Sequence, residues 1–221
     1  MKRPKIALVP ALFAAALLSG MPAAQAQEYY MDLHVGYNIV DNGDLEYAAV
    51  SYSTGYEQRP AFGGSFGYLD QSGLRFEGEL TYRDNDINYI DAANAKGEMA
   101  SLGLMINLLY ELQIGAGSNY GYGMGSESPL RPYIGIGGGG ARYALDASVD
   151  LAAGNIIDDI TYGLVYQGIL GVGVEITENA LVTLDFRYLV SDNVKFSDAA
   201  GAAFEIDSIQ ATAMFGLRTI F

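Results

Sequence analysis

Residues 208–221 read SIQATAMFGLRTIF. Counted back from Phe221, every second residue is Thr219, Leu217, Phe215, Ala213, Ala211 and Ile209. The intervening set is Ile220, Arg218, Gly216, Met214, Thr212, Gln210 and Ser208. An extended chain places the two sets on opposite faces. One face is mostly apolar and ends in an aromatic ring; the other carries small, polar and charged groups. Such a strand fits a wall with hydrocarbon on one side and a polar lumen on the other. A strand of a water-soluble sandwich competes with that reading, so the rest of the chain decides.

The same period of two recurs upstream. Within 28–39, Met31, Leu33, Val35, Tyr37 and Ile39 oppose Tyr30, Asp32, His34, Gly36 and Asn38. Within 60–69, Phe62, Phe66 and Tyr68 oppose Ala61, Gly63, Ser65 and Gly67, and Asp70-Gln71-Ser72-Gly73 then signals a turn. The segment 74–83 alternates most cleanly. Leu74, Phe76, Gly78, Leu80 and Tyr82 take one side, and Arg75, Glu77, Glu79, Thr81 and Arg83 the other. A helix would scatter those charges around its circumference.

Within 99–111, Leu102, Leu104, Ile106, Leu108 and Tyr110 oppose Ser101, Gly103, Asn107 and Glu111. Met105 and Leu109 interrupt the polar set, and a short buried helix competes there. The stretch 131–143, RPYIGIGGGGARY, is extended, but its glycines leave either facing open. In 161–175, Tyr162, Leu164, Tyr166, Leu170, Val172 and Val174 oppose Gly163, Gln167, Gly171, Gly173 and Glu175. After a turn at Thr177-Glu178-Asn179-Ala180, Val182, Leu184, Phe186 and Tyr188 oppose Thr183, Asp185 and Arg187.

These segments predict an all-β, eight-stranded, antiparallel, up-and-down transmembrane barrel. Polar connections at 40–56, 84–97, 146–159 and 189–207 follow the first, third, fifth and seventh strands. Most others are short, as such a barrel needs. The exception is 112–130, rich in Gly, Ser and Tyr, to which no role is assigned. Beyond the N-terminal segment no apolar run reaches the ~18 residues of a membrane helix. The run 99–110 suits a tilted membrane strand of ~9–11 residues instead, so a membrane form of this chain is a closed barrel.

The N-terminus reads as a signal peptide over 1–26. Lys2, Arg3 and Lys5 precede an apolar core, and Ala24-Gln25-Ala26 gives a cleavage site. The expected mature domain, 27–221, then carries 9 basic and 26 acidic residues, a net charge near −17. That excess argues against nucleic acid as a partner, because no basic surface would neutralise phosphates. The chain has no cysteine, which excludes a disulfide framework and thiolate metal sites.

With the apolar parity toward lipid, the lumen is expected to collect Asp32, Glu77, Glu79, Glu111, Glu175 and Asp185. Against them stand Arg75, Arg83, Arg187 and Arg218, with Arg142 a further candidate. Charges in a narrow barrel must pair or be hydrated, since isolated buried ions cost several kcal/mol each. The acidic excess falls in the connections, at Asp41, Asp44, Glu46, Asp84, Asp86, Asp91, Asp146, Asp150, Asp158, Asp159, Asp192, Asp198, Glu205 and Asp207. Solvated, repulsive loops are the main reading. Sharing of divalent cations with lipid phosphates is the sharper one, oxygen ligands suiting Ca²⁺.

On these features the chain resembles the small eight-stranded outer-membrane β-barrels of Gram-negative bacteria. The resemblance is strongest to opacity-protein-like surface antigens and the transmembrane domain of outer-membrane protein A. It rests on LRFEGELTYR (74–83), PLRPYIGIGGGGARY (129–143), the sixth and seventh strands, and FGLRTIF (215–221). The resemblance implies residence in the outer membrane after export, among lipid and lipopolysaccharide. It implies that the assembly machinery reads the terminal aromatic strand, where Phe221 holds the final position. It also implies surface-antigen, adhesin-like or porin-like roles, with host or cell-surface partners met through the loops. No catalytic residue, cofactor or metal is transferred by it, and no peptidoglycan-binding domain is expected after Phe221.

The expected function is therefore a structural, surface-exposed barrel with a charge-paired lumen and acidic external loops. A small porin is the alternative; at ~8 strands the lumen is just wide enough for side chains to fill. Less favoured are a soluble ligand-binding barrel and a lipid-modifying enzyme using His34 with Ser65 or Ser101, for which no motif exists. Residues 135–140 match G-x-G-x-x-G in form, but no helix follows, and close strand packing accounts for them. His34, the only histidine, is expected in the interior hydrogen-bond network. Tyr29, Tyr30, Tyr68, Tyr82, Tyr110, Tyr162 and Tyr188 suit interfacial girdles, or simply β propensity.

Overall fold

The computed structural model describes residues 28–221 except 41–43, 48–49, 58, 71, 91–92, 113–128, 150–154 and 198–202. It contains ten strands: β1 (Glu28–Val40), β2 (Asp44–Tyr47), β3 (Val50–Glu57), β4 (Arg59–Leu69), β5 (Leu74–Ile90), β6 (Ala93–Glu111), β7 (Leu130–Val149), β8 (Asn155–Thr177), β9 (Ala180–Ser197) and β10 (Ala203–Ile220). Strands β1 and β4 to β10 pair with their neighbours in sequence, all antiparallel. β1 then closes on β10, from Tyr30↔Ile220 to Val40↔Gln210. The wall is a closed eight-stranded up-and-down barrel, and no described residue is helical. Closure leaves the main-chain donors and acceptors of the wall paired without water, as hydrocarbon requires.

The strands reach further than alternation predicts. Most of 40–56 is not loop: β2 and β3 form a hairpin that pairs with β10 on one side and β5 on the other. β5 runs on to Ile90 and β6 begins at Ala93; β7 reaches Val149, β9 reaches Ser197, and β10 begins at Ala203. The cause is that a ladder of main-chain hydrogen bonds needs no apolar face once it leaves lipid. Acidic residues therefore sit in register across strands, as in Asp86↔Glu98, Glu98↔Asp146 and Asp146↔Asp158. At the opposite end two connections are tight, between β4 and β5 and between β8 and β9. Gly73, at φ 87°, closes the β4–β5 turn, its amide donating to the Asp70 carbonyl at 3.0 Å. Positive φ suits glycine there.

Burial runs opposite to a soluble domain. Large apolar side chains lie exposed around the outside: Leu33 and Val35 on β1, Leu104 and Ile106 on β6, Ile134 and Ile136 on β7, Leu170 on β8, Phe186 on β9 and Phe215 on β10. Ile106 is 74% exposed and Met105 beside it 1%. Arginines, carboxylates and amides fill the inside. Continuous apolar cover of this size far exceeds the patches that water-soluble monomers tolerate.

The open question of 131–143 resolves by burial. Arg131, Tyr133, Gly135, Ala141 and Tyr143 face inward, and Ile134 and Ile136 outward. Arg142 shares the outward parity and is half-buried in the wall, so it is not a lumen residue. The inward glycines are required by what lies across the ladder. A Cβ on Gly135 would come within 2.6 Å of Leu109 Cγ, and one on Gly139 would strike the Leu104 carbonyl oxygen. We expect Gly139→Ala to lower stability by about 1–3 kcal/mol, because main chain cannot give way as a side chain can. The outward-facing Gly138→Ala has space and should cost less; urea unfolding in vesicles compares the two.

Candidate functional site

The barrel interior holds the chemistry, and it is organised in layers. Nearest the tight-turn end, two guanidiniums share one carboxylate: Glu111 Oε1 lies 3.2 Å from Arg75 Nη1 and 3.1 Å from Arg218 Nη1. Arg75 also pairs with Glu77 at 3.2 Å, and Arg218 with Asp32 at 3.2 Å. Each guanidinium further lies over two tyrosine rings. Arg75 is 4.8 Å from the Tyr30 centroid and 4.7 Å from that of Tyr133; Arg218 is 4.9 and 5.3 Å from the same pair. The Tyr30 hydroxyl donates to Glu77 Oε2 at 2.7 Å, and that of Tyr133 donates to Asp185. Two like charges are held together because anions and ring faces separate them.

The middle layer centres on Glu79, 1% exposed. Its Oε1 receives the Thr81 hydroxyl and lies 2.5 Å from Arg187 Nη1. Its Oε2 accepts from Asn107 Nδ2 at 2.6 Å and from Gln167 Nε2 at 3.0 Å. Arg187 Nη2 donates to Asp185 at 2.8 Å, and Asn107 also donates to Glu77 at 2.9 Å. Strands β5, β6, β8 and β9 are thereby tied across the interior. Glu79 therefore has two amide donors on one oxygen, and a hydroxyl and an ion-paired guanidinium on the other.

Above it the hydrogen-bonded side chains are amides and a hydroxyl. Asn38 donates to Asn85 at 2.9 Å and to Gln210 at 3.2 Å, and accepts from Thr212 at 2.7 Å. Arg83 is buried at this level, and His34 lies beside Asp32 with Nδ1 3.8 Å from Oδ1. That exceeds a hydrogen bond, and neither ring nitrogen has a partner. His34 is thus inside but outside the hydrogen-bond network expected of it; the inward Gly63 and Gly216 flank it in register.

Of the residues singled out from sequence, Asp32, Arg75, Glu77, Glu79, Glu111, Asp185, Arg187 and Arg218 form one connected network. Arg83 lies within the lumen but makes no ion pair with a described carboxylate. Glu175 is half-buried and pairs separately with Arg131 at 2.7 Å. Sequence reading missed Arg131, which stands at the strand's beginning where no alternation surrounds it. Tyr30 is corrected outright: it is wholly buried inside, not in a girdle. Tyrosine suits both settings, and only parity with Asp32 distinguishes them. The Ser65, Ser101 and His34 set proposed for an enzyme is inward-facing and shows no hydrogen bond between His34 and either serine. Asp41, Asp91, Asp150, Asp198 and residues 1–26 lie outside the described residues. Among the described residues no three acidic or histidine side chains converge on a cation position.

A family model described as outer membrane protein beta-barrel domain matches residues 11–215. No curated protein sequence matches the chain. Among solved structures, the outer membrane protein OprG from Pseudomonas aeruginosa aligns with a TM-score of 0.59 at 15% identity, over 89% of this chain and 96% of that one. Neisserial surface protein A aligns with a TM-score of 0.47 at 18% identity, over 87% and 97%. AlkL, determined in lipid bilayers, aligns at 0.48 and 14% identity, over 92% and 94%. At these identities the likeness to OprG shows the barrel fold alone.

Proposed function

The chain belongs to the outer membrane protein β-barrel domain family and resides in the outer membrane, and from that premise we propose a structural, surface-exposed barrel with a closed lumen. The observation that supports this reading is the connected network across the interior. Arg75, Arg187 and Arg218 each engage two carboxylates within 3.2 Å, and the Tyr30 and Tyr133 rings fill the space between. A water-filled pore would have to break such pairs along its length, and each break strands a buried charge. The extended acidic end is the surface-exposed one in this reading, with its loops available to a host or cell-surface partner. Lipopolysaccharide surrounds the wall, the 1–26 segment directs export, and Phe221 is presented to the assembly machinery. No catalytic role is assigned to any residue.

Planar-bilayer recording of the purified barrel tests the proposal against the small porin. We expect no steady conductance, with at most brief narrow openings. Large, sustained, ion-selective openings would make the protein a channel. Deletion of Phe221 is expected to reduce the amount of assembled barrel in the outer membrane without changing its synthesis.

A further inference from the structure

Arg83 is 2% exposed, and its Nε and Nη2 have no acceptor. Arg187 also has two such nitrogens and Arg218 one, but both are held in ion pairs, whereas Arg83 forms none with a described carboxylate. Among the described carboxylates, Glu79 is the one whose charge acts on the Arg83 guanidinium. That carboxylate is already engaged on both oxygens, by the Thr81 hydroxyl and the ion-paired Arg187 on one and by Asn107 and Gln167 on the other. Two guanidiniums, Arg83 and Arg187, therefore face one carboxylate that has no capacity left for the first of them. The side chain one register step along the same face is Asn85. Its Oδ1 accepts from Asn38 while its Nδ2, wholly buried, has no acceptor. Buried donors without acceptors are costly, and a buried charge without a counter-charge more so.

Space accompanies the unmatched charge. In the ladder Arg83 lies between Ala61 and Ser101, and Gly103 pairs with Thr81 on one side and Ala141 on the other. Gly103 faces inward, and a Cβ there would meet nothing nearer than 3.9 Å. By contrast, inward Gly63, Gly67 and Gly171 are filled by His34, Tyr30 and Tyr133. The Arg83 backbone is thus flanked by small side chains, and open space lies over Gly103, one ladder step toward Glu79.

We propose that the lumen binds a small monovalent anion, a halide or a formate-sized carboxylate, between the Arg83 guanidinium, Asn85 Nδ2 and the floor at Gly103. The anion supplies the counter-charge that Glu79 cannot, and by mass action it stabilises the folded barrel by RT ln(1 + c/Kd) at free anion concentration c. The site selects by size: a chloride or formate fits, and a bulky anion such as gluconate does not.

The test measures urea unfolding midpoints of the full barrel in zwitterionic phospholipid vesicles. Chloride, formate and gluconate, as sodium salts, are titrated at constant ionic strength. We expect chloride and formate to raise the midpoint relative to gluconate, linearly in the logarithm of their concentration once it exceeds Kd. Arg83→Gln should abolish the anion-dependent shift, and Gly103→Val, which keeps the charge and fills the space, should weaken apparent affinity at least tenfold. In gluconate, Arg83→Gln should be no less stable than the parent, since it removes an unmatched buried charge. The proposal fails if chloride and formate act as gluconate does on the parent. It fails equally if the shift persists undiminished in either variant, or if Arg83→Gln in gluconate loses as much stability as Arg187→Gln.

Discussion

Arg187→Ala is expected to lower the folding free energy by about 3–5 kcal/mol, the loss typical of breaking a buried ion pair from one side. The change strands Glu79 and Asp185, both nearly fully buried, and removes the only described cation within 2.8 Å of either. Asn107, Gln167 and Thr81 still donate to Glu79, so its dipolar partners survive while its counter-charge does not. Unfolding by urea in phospholipid vesicles measures the difference. The double variant Arg187→Ala with Glu79→Gln should recover part of it, because the two residues contribute through one pair. A loss below about 1 kcal/mol, the range of solvent-exposed pairs, would mean that water enters the interior freely.

Ile106→Arg should cost about 2–4 kcal/mol by the same assay, the penalty for a cation at the bilayer midplane on a barrel's lipid face. Ile106 is the central outward residue of the apolar run on β6 and is 74% exposed. In water the same substitution would be mild, since the site is on the surface. Ile176→Arg makes the depth control. Ile176 is also exposed, at 56%, but lies one residue from the end of β8. Near the interface the penalty falls to about 0–1 kcal/mol. Equal costs at both sites would remove the basis for a bilayer around this surface.

What the sequence makes legible follows from which constraint acts at each residue. Alternation at 74–83 and 208–221 is readable because hydrocarbon and lumen impose opposite demands on neighbours. Leu80 and Glu79, or Leu217 and Arg218, can face only one way. The polar extensions are not readable, since beyond the bilayer the outer face meets water and carries acidic residues. Only the inward residues Asn85, Met99, Leu145 and Phe196 keep a parity there, and the apolar outer half of the pattern is lost. Asp84, Asp86 and Asp146 therefore read as loop although they lie on strands. The Gly137 to Gly140 run hides its facing because glycines without side chains occupy both parities. Only the neighbours reveal that Gly139 is pressed against main chain and Gly138 is free. Parity alone also brings Asp32 and Glu77 to the interior, but it carries no information on pairing. That Glu111 bridges Arg75 and Arg218, or that Glu79 leaves Arg83 without a counter-charge, depends on register around the whole ring.

Which face of the wall meets acyl chains is directly measurable, because the chain lacks tryptophan. Single-tryptophan variants Phe186→Trp, 51% exposed on the outward face, and Tyr143→Trp, 2% exposed and inward, change one aromatic ring for another. Each is refolded into vesicles of lipids brominated along the acyl chain, and fluorescence quenching is read. Strong quenching of the tryptophan at 186, with that at 143 left nearly unchanged, is the predicted result. Stronger quenching at 143 than at 186 would place the charged face in hydrocarbon and contradict the structure described above.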